Sequence, residues 1–175
     1  MADRTPQQFK DIGKSLKFNL ENGHLLASVI LTYSYINAMA SLIMPVNQEK
    51  VKGKDFINWV DNYMKADKNQ PYQYKGIDLW GARCGLVHRY SPYSNLSKNG
   101  KCKILNYHNG SEHIYHKRNN EGDILLSVHR LVNDFFKAMS RFLSDLMKNE
   151  TLRRKADERF KNHFFQIKKA RKKGG

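Results

Sequence analysis

Cysteine, proline and glycine are scarce in this chain, and their scarcity excludes several classes of protein. Only two cysteines occur among the 175 residues, Cys84 and Cys102, which is too few for the disulfide framework of a small secreted domain. Both are therefore expected to be reduced. The four prolines and eleven glycines form no linker-like stretch, and no internal repeat is present. The length of the chain and the absence of a linker-like stretch together predict one domain with its own hydrophobic core.

Uninterrupted apolar runs are absent as well. The longest apolar stretch covers residues 25–44, and five polar side chains break it: Ser28, Thr32, Ser34, Asn37 and Ser41. A membrane-spanning helix needs roughly 20 predominantly apolar residues, so a buried core helix is predicted here instead. The first six residues are polar and lack the apolar region of a secretory signal. We therefore expect a cytoplasmic protein with no membrane partner.

Acidic residues are few relative to basic ones. Lys and Arg number 31 against 16 Asp and Glu, which gives a formal net charge of +15. Such an excess indicates a polyanionic partner, either nucleic acid or an acidic membrane surface, although it could serve solubility alone. Of the two partners, RNA is favoured. The apolar face of the basic C-terminal helix is shorter than the apolar face of a helix that lies on a membrane surface.

The basic excess is concentrated at the C-terminus. Residues 151–175 contain ten Lys or Arg against two acidic residues, a net charge of +8. One interpretation is a solvated helix face; the favoured one is a surface that follows RNA phosphates without reading sequence. The residues expected to form this surface are Lys161, Lys168, Lys169, Arg171, Lys172 and Lys173.

Apolar residues recur at helical spacing along most of the chain, which predicts an all-α fold, a helical bundle. Helices are predicted over residues 7–20, 23–44, 55–64, 72–91 and 123–149, the last capped by Asp123, with a basic helix from residue 151. Residues 101–107 and 112–117 flank Asn109-Gly110, a tight-turn signal. We expect a small exposed β-hairpin, about residues 99–118, inserted in a bundle over residues 1–150. Residues 151–175 would form the C-terminal helix and tail of the same domain.

A motif whose residue types could take part in catalysis lies in the fourth predicted helix. Arg83, four intervening residues, His88, one further residue and Tyr90 follow each other near the end of this helix. This Arg-x4-His-x-Tyr pattern resembles the signature of the HEPN superfamily, whose Arg and His are four to six residues apart on a helix of an α-helical bundle. The resemblance covers roughly residues 20–90 and the long helix that follows.

The resemblance implies a HEPN-like helical bundle and a metal-independent endoribonuclease without a cofactor. HEPN ribonucleases usually act as dimers with two motifs facing one cleft, and they leave a 2′,3′-cyclic phosphate and a 5′-hydroxyl. By this analogy His88 is the general acid and base, and Arg83 holds the scissile phosphate. The chemistry suits these residue types: the RNA supplies its own 2′-hydroxyl nucleophile, His titrates near neutrality, and Arg stays charged.

Three more residues are assigned supporting or RNA-positioning roles. Asn37 lies on the apolar face of the second helix, where it could orient Arg83 or His88 or make a structural hydrogen bond. Arg89 follows the motif His. Tyr90 could support His88, stack on a base or be an ordinary helix-end aromatic. In the group of HEPN toxins that the motif resembles, a Tyr at this place can be adenylylated by a nucleotidyltransferase antitoxin.

Helix geometry leaves two arrangements of the motif open. Five residues along a helix separate the directions of Arg83 and His88 by roughly 140°. Either the arginine stem curves round the helix, or a second copy of the chain completes the site. Gly81 and Gly85 allow close approach of another segment, at a dimer seam or within the chain, and the homodimer is favoured.

Two functions therefore compete. The favoured one is an RNase that acts as a toxin or antiviral effector, under a possible antitoxin or other regulatory protein. The alternative is a non-catalytic HEPN RNA-binding or assembly subunit, because Cys84 stands where the family commonly has Asn, Asp or His. The sequence shows no Gly-rich phosphate loop, and the spacings of His108, His113, His116 and Cys102 match no structural zinc pattern. No metal is expected.

Overall fold

Helices dominate the computed structural model, which describes residues 7–69, 72–111, 114–116 and 123–163. Helix accounts for 69% and strand for 6%, so the prediction of a mostly helical protein is confirmed. The helices are α1 (Gln7–Glu21), α2 (Leu25–Ile43), α3 (Gly53–Trp59, continued by a π-helical turn, Val60–Met64), α4 (Gly76–Arg89), the short α5 (Asn95–Lys98), α6 (Val128–Lys148) and α7 (Glu150–His163).

The central helix of the fold is α2. It packs against α1, α3, α4, α6 and α7, and its inward side chains, such as Tyr33 and Ile36, are fully buried. Its length and mean hydropathy of 1.5 would also suit a membrane span. In this fold five helices pack against α2, and 44% of its apolar window is buried.

The prediction of a β-hairpin at about residues 99–118 is wrong. Strands β1 (Leu105–His108) and β2 (Ile114–His116) do not pair with each other, because β3 (Asp123–Ser127) lies between them in the order β1-β3-β2. The strand β3 runs parallel to β1 and antiparallel to β2, with Leu105 opposite Ile124. Leu105, Ile124 and Leu126 are buried, so the sheet contributes to the core instead of projecting from it.

The start of the long helix also differs from the prediction. Asp123 is the first residue of β3, and the helix begins at Val128, where the Ser127 hydroxyl accepts a hydrogen bond from the Arg130 amide at 3.1 Å. The apolar positions 124 and 128 fit a helical stripe equally well. Pairing with β1 and β2 satisfies the backbone of residues 123–127 and overrides that local pattern.

The described part of the C-terminal segment, α7, docks onto the bundle. Arg159 is 2% exposed, and its guanidinium donates hydrogen bonds to four backbone carbonyls at or beyond the end of α2, those of Ser41, Pro45, Val46 and Gln48, at 2.9–3.3 Å. A cation suits this place because the last carbonyls of a helix carry partial negative charge and have no partner within the helix. One of the ten C-terminal basic residues is therefore structural.

Candidate functional site

Helix α4 carries the motif, and a buried carboxylate fixes where this helix begins. Asp78 accepts a hydrogen bond from the amide of Lys75 at 2.8 Å and another from the amide of Lys103, also at 2.8 Å. The Gly76 amide donates to Asp61 at 3.0 Å. These bonds start the helix at Gly76, four residues later than predicted, and tie it both to the turn after α3 and to the chain before β1.

The two sides of α4 differ in burial. Leu79, Ala82 and Leu86 face the core, whereas Trp80 and Arg83 are half-buried and His88 is exposed. The motif therefore lies on a side of the helix that solvent reaches, as a site for a large substrate requires.

Arg83 and His88 meet on this accessible side. The guanidinium Nη1 of Arg83 lies 2.9 Å from Nε2 of His88, although the two residues point in directions roughly 140° apart. The arginine stem thus curves round the helix, which is the first of the two arrangements left open by the sequence. A single chain holds both side chains in contact, and His88 itself is exposed.

The contact fixes the direction of the hydrogen bond between the two side chains. A guanidinium carries only donors, so Nε2 of His88 is the acceptor of this hydrogen bond. Nε2 can therefore take a proton from another group only after Arg83 releases it.

A tryptophan platform supports the arginine. The Arg83 guanidinium carbon lies 5.1 Å from the centre of the Trp80 ring, within the range of a cation–π interaction. The Trp80 ring in turn packs at 5.3 Å against Phe56 of α3, and it passes so close to Gly53 that a Cβ there would lie 2.8 Å from the indole nitrogen. Sequence reasoning missed this platform, although Trp80 and Arg83, three residues apart on a helix, are neighbours on its surface.

None of the three supporting residues is joined to the motif by a side-chain hydrogen bond within the residues that the structure describes. Asn37 is half-buried on α2, and no hydrogen bond in the described part of the chain joins it to Arg83 or His88. Arg89 is exposed beside His88. Tyr90 ends α4 with its ring 71% exposed.

The two glycines of α4 lie against the chain's own backbone and side chains. A Cβ on Gly81 would collide with the sulfur of Cys102, and a Cβ on Gly85 would lie 2.6 Å from the carbonyl oxygen of Ser91. Intrachain packing therefore accounts for both glycines, and they give no support to a dimer seam at this place. Burial and the nearby Asp78 raise the pKa of the Cys102 thiol, which favours its protonated form.

The predicted basic surface is only partly described. Lys161 is exposed on α7, as are Arg153 and Arg154. Lys168, Lys169, Arg171, Lys172 and Lys173 lie outside the described residues. Within residues 7–69, 72–111, 114–116 and 123–163, no three His, Cys, Asp or Glu side chains converge as metal ligands would.

The chain matches no protein-family model, no curated protein and no solved structure.

Proposed function

We propose that this protein is a metal-independent endoribonuclease of the HEPN type, with Arg83 and His88 as its catalytic residues. The observation that carries the proposal is the 2.9 Å contact between the Arg83 guanidinium and Nε2 of His88 on an accessible helix. It brings together a fixed cation and an imidazole, the two residue types that this chemistry uses. The mostly helical fold and the Arg-x4-His-x-Tyr spacing are consistent with this family.

The proposed reaction uses the RNA's own nucleophile. The 2′-oxygen forms a bond to the adjacent phosphorus while the bond from phosphorus to O5′ breaks, and the electron pair of that bond leaves with O5′. His88 Nε2 accepts the proton of the 2′-hydroxyl. A proton delivered to O5′ completes the 5′-hydroxyl product, and the other fragment ends in a 2′,3′-cyclic phosphate.

Arg83 has two tasks in this scheme. Before substrate binds, its guanidinium holds the His88 ring through Nε2. With substrate bound, the guanidinium turns to the phosphate oxygens, on which negative charge grows in the transition state, and this frees Nε2 of His88 for the 2′-hydroxyl. Since each chain contributes one motif histidine, a homodimer would supply a second imidazole, which in its protonated form donates the proton to O5′.

The charge of the molecule supports RNA as the substrate. A net charge of +15 attracts a polyanion over long distances and raises the encounter rate at low ionic strength. Unregulated cleavage of cellular RNA would harm the cell that makes the enzyme. We therefore propose a cytoplasmic toxin or antiviral effector that an antitoxin or another regulatory protein restrains.

The test is cleavage of a labelled structured RNA in EDTA by the wild type, His88→Ala, Arg83→Ala and His129→Ala. His129 is exposed on α6, so its replacement is the matched control for loss of an exposed imidazole. We expect fragments with 2′,3′-cyclic phosphate ends from the wild type and from His129→Ala, and a loss of about a hundredfold or more in the other two. RNA that all four proteins bind and none cuts would overturn the proposal in favour of a non-catalytic binding subunit.

A further inference from the structure

A groove of about 260 Å³ lies beside the motif, between the C-terminal end of α4 and strand β1. Its floor is apolar and consists of Ala82, Leu86 and Leu105, all buried. Three residues after the helix and two on the strand form its walls: Tyr90, Ser91, Pro92, Asn106 and Tyr107. Ala82 and Leu86 lie on the core-facing side of α4, roughly 120–160° round the helix from His88, and the groove reaches the motif at Tyr90, which follows His88 by two residues.

Tyr90 holds an unfavourable backbone conformation at the edge of this groove. Its φ of 52° and ψ of 34° are left-handed, and it is the only non-glycine residue with a positive φ in the described part of the chain. For a residue with a bulky side chain this costs roughly 1–2 kcal/mol, and helices usually place glycine here. Tyr90 is 71% exposed, so packing of its side chain offsets little of that cost. Strain without burial points to a role for the ring in binding.

Strand β1 adds polar groups that can form hydrogen bonds with the edge of a planar ligand. In the described residues β1 pairs with β3 alone, so one row of its backbone amides and carbonyls has no partner strand. The exposed Asn106 side chain offers both a donor and an acceptor. Tyr107 next to it is held in place, because its hydroxyl lies 2.6 Å from that of the buried Tyr33.

We propose that this groove binds one base of the RNA strand next to the scissile phosphate. The base lies on the apolar floor and stacks on the Tyr90 ring, while Asn106 hydrogen-bonds its edge. Stacking on an aromatic side chain together with edge recognition is the usual way in which proteins select unpaired bases. This inference rests on the proposed RNase function, because an RNA strand whose phosphate lies at Arg83 and His88 would pass Tyr90 at the edge of the groove.

The first arm of the test is cleavage preference. We compare the cleavage rates of a set of RNAs that differ only in the nucleotides at the cut. The rates are measured for wild type, Asn106→Ala and Asn133→Ala, and the last variant is the control because Asn133 is an exposed asparagine on α6. We expect Asn106→Ala to reduce the ratio between the best and the worst nucleotide severalfold, and Asn133→Ala to leave it unchanged. An unchanged ratio in Asn106→Ala overturns the assignment of Asn106.

The second arm separates binding from folding. Tyr90→Gly removes the ring and relieves the left-handed strain, so the melting temperature should hold or rise while kcat/KM falls by about tenfold or more, the range of one lost base stack. Tyr93→Ala is the matched control, because Tyr93 is 49% exposed in the same loop and does not line the groove. Equal activity of Tyr90→Gly and wild type overturns the stacking role.

The third arm does not depend on cleavage. The wild-type protein is irradiated with RNA containing 5-bromouridine, and the crosslinked peptides are identified by mass spectrometry. Crosslinks within residues 90–107 support the groove even if no RNA is cut, in which case the proposed catalytic function alone fails. Crosslinks confined to other segments overturn the groove whether or not RNA is cut.

Discussion

Trp80 is the residue on which the position of the Arg83 guanidinium depends most directly. Its ring lies under the arginine and is fixed from the other side by Phe56 and by the lack of a side chain at Gly53. The sequence predicts Arg83 and His88 as a pair because their residue types suit the chemistry. It does not predict the platform, since a tryptophan at helical spacing is usually read as part of the core.

Gly53→Ala tests whether the platform positions the arginine. The new Cβ would lie 2.8 Å from the Trp80 indole nitrogen, so the ring must move. We expect a shift of the Trp80 indole resonance in the NMR spectrum and at least a severalfold loss of cleavage. Gly13→Ala is the control, because nothing lies within 4 Å of a Cβ there. A shifted indole resonance with full activity would show that Trp80 does not position Arg83.

The elements of this fold are joined by a few polar contacts that span long sequence separations. The Arg159 guanidinium links α7 to the end of α2, and the Tyr107 hydroxyl links β1 to Tyr33 within α2. Helical periodicity predicts α2 and most of α6, because their apolar stripes are long. It cannot predict β3, whose five residues continue the stripe of α6, since the partner strands that decide between strand and helix are distant in sequence.

Arg159→Met should detach α7 from α2. Four backbone carbonyls lose their donor, and each hydrogen bond to a charged group contributes about 1.5–3 kcal/mol, so the free energy of unfolding should fall by at least about 2 kcal/mol. Urea unfolding measures this loss, with Arg154→Met as the control for an exposed arginine of the same helix. Equal losses in the two variants would contradict the structural role of Arg159.

The tyrosine pair predicts a loss of stability at alkaline pH. Burial raises the pKa of the Tyr33 and Tyr107 hydroxyls above the ordinary value of about 10. The unfolded chain therefore releases these protons first and binds fewer of them above about pH 10, so the contribution of this pair to stability is constant below that pH and falls above it.

Tyr33→Phe removes one of these groups and should make the alkaline decline shallower. The free energy of unfolding is measured from pH 7 to pH 11, with Tyr93→Phe as the exposed control. At neutral pH the variant should lose about 1 kcal/mol, the usual contribution of one hydrogen bond. A decline as steep as that of the control would exclude Tyr33 as a source of the pH dependence.

For the whole molecule, the excess of positive charge governs how tightly RNA binds and how strongly salt weakens that binding. We expect the logarithm of the binding constant to fall linearly with the logarithm of salt concentration. Replacing Lys168, Lys169, Arg171, Lys172 and Lys173 with Gln should reduce the slope by roughly 3.5, if each contacts a phosphate of single-stranded RNA. An unchanged slope would show that RNA binds elsewhere on the molecule.

The central claim is that Arg83 and His88 act as one unit on RNA, and a double-mutant cycle tests it most directly. The value of kcat/KM in EDTA is measured for wild type, Arg83→Ala, His88→Ala and the double variant. Residues that act together are strongly non-additive, so each single replacement should cost nearly as much as both. Losses that multiply in the double variant, or full activity in either single variant, would contradict the joint action of these two residues.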